Sequence, residues 1–196
     1  EEIGMNLNAY GYGPPEDRCW IIADLGVTFG DASTPGIDLV CADPSYLEGE
    51  LIEAIILPHA HEDHIGAAGL LWPRFKAPLY ATPFTAELTR AKLIERGVDE
   101  EHLKTIQPGS KITVGPFTVE FVPLTHSIPE MQGLAIRTPL GRVLHTGDWK
   151  IDPEPQLGGD IAVERLEAIG DEGVLAMVCD STNVFEDGES GSEATV

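Results

Sequence analysis

Positive charge is scarce in this 196-residue chain: 12 Lys and Arg stand against 33 Asp and Glu, for a formal charge of −21. Taken alone, that balance argues against a nucleic-acid partner, because gripping phosphates needs Lys and Arg to neutralise them. Part of the excess reads as a solvated, solubilising face. Asp99, Glu100 and Glu101 follow a helical stretch, and Glu186, Asp187, Glu189 and Glu193 crowd the C-terminal segment. Cysteine is equally sparse. Cys19, Cys41 and Cys179 are odd in number and widely spaced, so the plain reading is free thiols in a reducing cytoplasm. Without a C-x-x-C pair they are not expected as metal ligands. No apolar run approaches the roughly 20 residues that span a bilayer, and no secretory signal is visible; a cytoplasmic location with no membrane partner is the expectation. The chain opens on Glu1 instead of Met, which reads as a start inside a longer gene product.

A hydrophobic share of 42% is enough for one substantial core, and Gly 21 with Pro 15 points to many short elements. Residues 5–12 read as a strand ending in a Gly-rich turn. The apolar runs C-W-I-I-A-D at 19–24 and L-I-E-A-I-I-L at 51–57 read as buried strands. A short helix is expected over 65–71, stopped by Pro73. Thr82 as N-cap, Pro83 at the first helical position and Gly97 beyond the last turn bracket a second helix over 84–96, with Leu88, Ala91, Leu93 and Ile94 as its apolar side. From 105 to 144 short strands alternate with turns, and 133–138 with 142–145 make a hairpin. Asp160 caps a helix through Ala168 that Gly170 ends, and V-L-A-M-V-C at 174–179 reads as a final buried strand. Beyond Val184 the composition resembles a linker. Polar residues stand just past strand ends four times, at Asp24, His59, His145 to Asp148, and Asp180. In an α/β fold, ligands bind at such ends.

The segment His59-Ala60-His61-Glu62-Asp63-His64 concentrates chemistry. In an extended stretch, residues two apart face the same side, so His59 and His61 can address one metal ion. Asp63 and His64, at the turn into the next helix, can be aimed at a second. Imidazole with carboxylate suits Zn²⁺, and the carboxylate share also admits Mn²⁺. His126, in a loop after a strand, is a candidate third imidazole; alone, such a residue is usually a surface or capping group. In His145-Thr146-Gly147-Asp148-Trp149-Lys150, Gly147 allows a tight turn that would aim Asp148 inward, where one carboxylate can bridge two ions. A turn-stabilising Asp is the competing reading. Five of the six histidines fall in these three motifs, leaving His102 as an ordinary surface residue.

The three motifs, in this order, resemble the metallo-β-lactamase superfamily, whose fold is an α/β αββα sandwich. The resemblance implies two divalent ions: His59, His61 and His126 on one, Asp63 and His64 on the other, Asp148 bridging, Asp24 supporting from behind, and His145 near the substrate or behind the ligands. The lactonase-like branches continue the third-motif His into P-G-H, whereas here His126 is followed by S-I-P. Cys179-Asp180-Ser181-Thr182-Asn183 resembles instead the acidic first motif of the β-CASP nucleases, which makes Asp180 a candidate catalytic residue. E-I-G-M-N at 2–6, H-E-D-H-I-G-A at 61–67, H-S-I-P-E at 126–130 and H-T-G-D-W-K at 145–150 strengthen the match to bacterial ribonucleases of that branch. The resemblance implies metal-assisted hydrolysis of RNA, both endonucleolytic and 5′-to-3′ exonucleolytic, in a homo-oligomeric full-length protein. It further implies that the sandwich is incomplete within 1–196, with a β-CASP domain and the returning part of the sandwich after it. The alternatives are a thioester or lactone hydrolase on the same scaffold, and a non-catalytic RNA-binding homologue.

Overall fold

The apolar runs at 19–23 and 51–57 pair as parallel strands, and the first of two five-stranded sheets grows around them. The structure, a computed structural model, describes residues 4–188 and 191–195. Glu189 of the acidic C-terminal run, and Glu2 and Ile3 of the E-I-G-M-N motif, lie outside the described residues. The chain divides into two compact units, at Ile106/Gln107.

The first unit runs β1 (Asn8–Tyr12), β2 (Cys19–Ala23), β3 (Val27–Phe29), β4 (Leu39–Cys41), β5 (Leu51–Leu57), α1 (Glu62–Ile65), α2 (Ala68–Phe75), β6 (Leu79–Ala81), α3 (Pro83–Glu95) and β7 (Leu103–Thr105). Its sheet has the order β1-β2-β5-β6-β7, with β1 antiparallel and the others parallel, while β3 and β4 pair separately. Strands buried on both faces need continuous apolar sequence. Ala54, Ile55, Ile56 and Leu57 supply it and are fully buried.

Two expectations for this unit are corrected. Pro73 does not stop its helix: α2 continues to Phe75 and closes on Lys76 at φ 52, whose N–H donates to the Trp72 carbonyl. Proline removes one backbone donor but its φ is helical, so a helix can run past it for a turn. The buried face of α3 is also different. It consists of Thr85, Ala86, Thr89 and Leu93, while Leu88 and Ile94 are exposed. The reason is close packing against α2, where a Cβ on Gly69 would lie 2.4 Å from the Lys92 carbonyl oxygen. Small and β-branched side chains take most of the buried positions at that separation.

The second unit contains β8 (Lys111–Val114), β9 (Phe117–Pro123), β10 (Gln132–Thr138), β11 (Gly141–His145), α4 (Val163–Asp171) and β12 (Ala176–Val178). The sheet order is β12-β11-β10-β9-β8, antiparallel apart from the parallel pair β11 and β12. The expected hairpin at 133–145 is present, turning at Pro139 and Leu140. Helix α4 lays Ile169, with Leu166 and Ala162, on Val122, Ala135 and Leu144.

Here too the sequence expectations need amendment. Asp160 does not cap α4; the N-cap is Ala162 and the helix ends at Asp171, one residue past Gly170. The strand expected to be buried at 174–179 is exposed along its length, with Leu175 at 69% and Met177 at 61%. Among the described residues it is an edge strand paired with β11 alone, and the apolar cluster under α4 draws on β9 to β11. Glu193, read as solvated, is anchored: its carboxylate pairs with Lys150 at 2.8 Å, and its N–H donates to the buried Asp152 carboxylate at 2.9 Å. Those contacts, the backbone donor first, hold the Asp152 carboxyl far below its usual range.

The ionic edge of α4 yields a pH prediction. Glu172 accepts from Arg142 and from Arg165, which lower its pKa from 4.5 to about 2. Because the folded-state value is the lower one, the stabilisation is complete above pH 4.5 and disappears as pH falls toward 2. Glu172→Gln should therefore lower stability at neutral pH and flatten the acid limb, so that variant and wild type converge as pH falls toward 2, as followed by urea unfolding at a series of pH values.

Candidate metal centre

In the first unit the site is assembled at the ends of two adjacent parallel strands. Strand β2 ends at Ala23 and β5 at Leu57, and the Asp24 N–H donates to the Ile56 carbonyl at 3.0 Å, so Asp24 and the histidine segment emerge side by side. Asp24 is completely buried and takes φ 71, a left-handed conformation that an Asp tolerates better than most residues. Its Oδ1 lies 2.9 Å from Nδ1 of His64, itself only 2% exposed. A buried carboxylate beside Nδ1 accepts the proton there and leaves Nε2 as the nitrogen that carries the lone pair.

His59 is fully buried, with its ring centroid 5.0 Å from that of His61 and 4.0 Å from that of His64. His61 is the N-cap of α1, and its carbonyl accepts from the His64 and Ile65 N–H groups. That turn carries Asp63 and His64 round to the same place as His59, with Asp63 Oδ2 3.4 Å from His64 Nε2. Glu62, inside the motif, points elsewhere and pairs with Lys92 of α3 at 2.7 Å.

Three residues around this geometry escaped the sequence reading. The Asn6 side-chain amide donates to the Asp63 carbonyl at 3.1 Å and to its carboxylate at 3.3 Å, and approaches His64 Nε2 at 3.1 Å. Gly26 lies under the same turn, where a Cβ would fall 1.6 Å from the Asp63 carbonyl oxygen and 2.7 Å from the Asn6 N. The signal for Asn6 was its place in the E-I-G-M-N match; a lone glycine after a strand carries no comparable mark. Tyr10 on β1 is a third. Burial, with help from the Asp24 charge, pushes its phenol above the usual range.

In the second unit His126 follows β9, and its Nε2 lies 3.7 Å from Oδ2 of Asp148. The two loops are stitched by a bridge between Thr125 and Lys150, whose N–H donates to the Thr125 carbonyl at 2.9 Å. Gly147 at φ 58 makes the turn that places Asp148. His145 is buried at the end of β11, opposite Leu134 and Val178. Asp180 follows β12, and its Oδ1 accepts from the Thr182 N–H at 2.8 Å and hydroxyl at 2.7 Å, closing a local turn. Among the described residues, the candidate metal ligands are His59, His61, Asp63 and His64 within the first unit, and His126 and Asp148 within the second. They do not include Asp180, His145 or any cysteine; all three thiols are free.

Residues 35–169 match the family described as "Beta-lactamase superfamily domain". The chain belongs to that superfamily, and its mixed α/β sheets are the metallo-β-lactamase-type fold expected from the motifs. Among characterised relatives, it is 52% identical over its whole length to a protein named Ribonuclease J from Sinorhizobium meliloti, covering 35% of that protein. It is 41% identical to Ribonuclease J of Corynebacterium glutamicum over its whole length and 27% of the relative, and 37% identical to that of Thermus thermophilus over its whole length and 35% of the relative. The chain thus spans about a third of these relatives. A protein of unknown function from Enterococcus faecalis shares the fold, with a TM-score of 0.63 at 20% identity over 98% of this chain and 50% of the other. Among the described residues no helix is long and apolar enough to cross a membrane.

Proposed function

We propose that this protein is a metal-dependent ribonuclease that hydrolyses RNA phosphodiester bonds, both internally and from the 5′ end. The observation that carries the reading is the buried pair of Asp24 and His64, with the His59 ring and the Asp63 carboxylate beside His64 and the His61 ring beside His59. Metal-ligating histidines characteristically donate their second N–H to a carboxylate, which fixes the tautomer, and a cluster of imidazoles around such a pair has the donor chemistry for divalent ions. His59, His61 and His126 would hold one ion, Asp63 and His64 the other, with Asp148 shared. Zn²⁺ is the favoured metal on the imidazole share, with Mn²⁺ admitted by the carboxylates. Bound there, two such ions supply Lewis-acid activation of water at neutral pH and neutralise phosphate charge.

The protein's own groups do the positioning. Asp24 holds the His64 ring in one orientation, and Asn6 restrains the Asp63 carboxylate. His145 backs the Asp148 loop, and Asp180 is assigned to the substrate side of the reaction. The net charge of −21 is the main physical objection to RNA. Divalent ions answer it locally, each adding two positive charges where a phosphate would sit. The names of the relatives support RNA over a thioester or lactone. The cytoplasm is the proposed compartment, supported by the three free thiols, and a homo-oligomer of the full-length protein is proposed on resemblance.

The test pairs a 5′-monophosphorylated RNA with a thioester, using the full-length protein loaded with Zn²⁺ or Mn²⁺. RNA cleavage is the expected outcome; thioester hydrolysis alone would overturn the reading. Within it, Asp24→Asn is expected to weaken metal affinity roughly 10- to 100-fold, the usual cost of losing a partner behind a ligand. Competition with a chromophoric chelator measures it.

A further inference from the structure

Four of the twelve basic residues of this acidic chain meet at one place in the second unit. Lys111, Arg137, Arg142 and Arg165 line a pocket of about 270 Å³ together with Glu120 and Glu172. Strand register explains the gathering. Lys111 stands opposite Glu120, Glu120 opposite Ala135, and Arg137 opposite Arg142, so these side chains leave the same face of the sheet. Arg165 and Glu172 come down from α4. His145, three residues beyond Arg142 on β11, belongs to the other face.

The charges do not balance. Glu120 accepts two bonds from Arg165, at 2.6 and 2.8 Å, and pairs with Lys111 at 3.1 Å. Glu172 pairs with Arg142 and with Arg165. Two carboxylates facing four cations leave a surplus of two positive charges. Arg137 is exposed, and among the described residues no carboxylate forms an ion pair with it. Like charges directly opposite on neighbouring strands are destabilising, yet Arg137 and Arg142 are paired across β10 and β11 in a chain with 33 acidic residues to draw on. Glu120 and Glu172 are both held below the usual carboxylate range by these arginines and Lys111, so neither carboxylate sheds its charge by protonation near neutral pH.

We propose that this pocket binds a phosphoryl dianion, an inorganic phosphate or a phosphomonoester. Such a group carries about −1.5 to −2 charges at pH 7, which matches the surplus, whereas a carboxylate would leave part of it unopposed. Guanidinium forks match phosphate oxygens in bidentate fashion, and two stand side by side here. The site does not depend on the metal-centre reading.

Calorimetric titration of the full-length protein with inorganic phosphate, at ionic strength held constant with chloride, tests the proposal. A one-to-one component is expected that Arg137→Ala weakens roughly tenfold or more, the loss of a charge-assisted contact, and that Asp148→Ala leaves in place. Arg137 is exposed on a sheet face, so its truncation leaves the core intact. A nucleoside 5′-monophosphate competing more tightly than phosphate identifies an ester as the ligand, and weaker competition identifies the free ion; both sustain the site. Wild-type binding in Arg137→Ala, or disappearance of the component in Asp148→Ala, overturns it.

Discussion

Replacing Asp148 by alanine is expected to lower RNA cleavage by the full-length protein by at least about a thousandfold while leaving it folded. Metal-centred stabilisation of a transition state is worth several kcal/mol, and each 1.36 kcal/mol is a factor of ten. As the ligand proposed to be shared between two ions, Asp148 would affect both. The residue sits in a loop after β11, held by the Gly147 turn and by the strap between Thr125 and Lys150, with its side chain 29% exposed. Its truncation therefore opens no core cavity. Cleavage of a 5′-labelled RNA reads the rate, metal content by mass spectrometry reads the ligand loss, and thermal unfolding confirms the fold. An Asp148→Ala protein that retains both metal and wild-type cleavage would sink the assignment. Asp148→Asn keeps the shape but weakens the charge, and should fall between the two.

The second large effect is on folding. Gly26→Ala is expected to destabilise the protein by roughly 3–5 kcal/mol, at the upper end for single substitutions. The added Cβ would meet the Asp63 carbonyl oxygen at 1.6 Å. What stands in the way is backbone, and that backbone is fixed from several sides. The Asn6 N–H donates to the Asp63 carbonyl at 2.9 Å, the Gly26 N–H to the Asn6 carbonyl at 2.8 Å, and the Leu25 N–H to the His64 carbonyl at 2.8 Å. Relief of the clash must pull the motif turn away from Asp24, so metal affinity should fall together with stability. Urea unfolding of the metal-free protein measures the first effect and chelator competition the second. A variant as stable as wild type would show that this close approach does not exist in solution.

The sequence by itself determined the elements whose signals are local. Strands β2 and β5, the start of α3 at Pro83, and the hairpin of β10 and β11 follow from apolar runs and turn residues. The ligand candidates were equally legible, because three histidines and an aspartate within six residues have no packing explanation. In the first unit the structure brings His59, His61, Asp63 and His64 together, and in the second it sets His126 beside Asp148.

Only the tertiary structure decided what depends on neighbours distant in sequence. Hydrophobicity at 174–178 marks a strand but cannot say that, among the described residues, it pairs with β11 alone and stays exposed. The threonine face of α3 has its reason in Gly69 of another helix, and Glu193 is tied down by Asp152 and Lys150 some forty residues earlier. Asn6 and Gly26 touch the Asp63 turn across 57 and 37 residues, by 63 − 6 and 63 − 26. Spacing reports the chemistry of residues that share a segment. Which backbone must come within van der Waals distance of another, and which carboxylate orients which imidazole, is set by strand order and register, and no single segment carries that information.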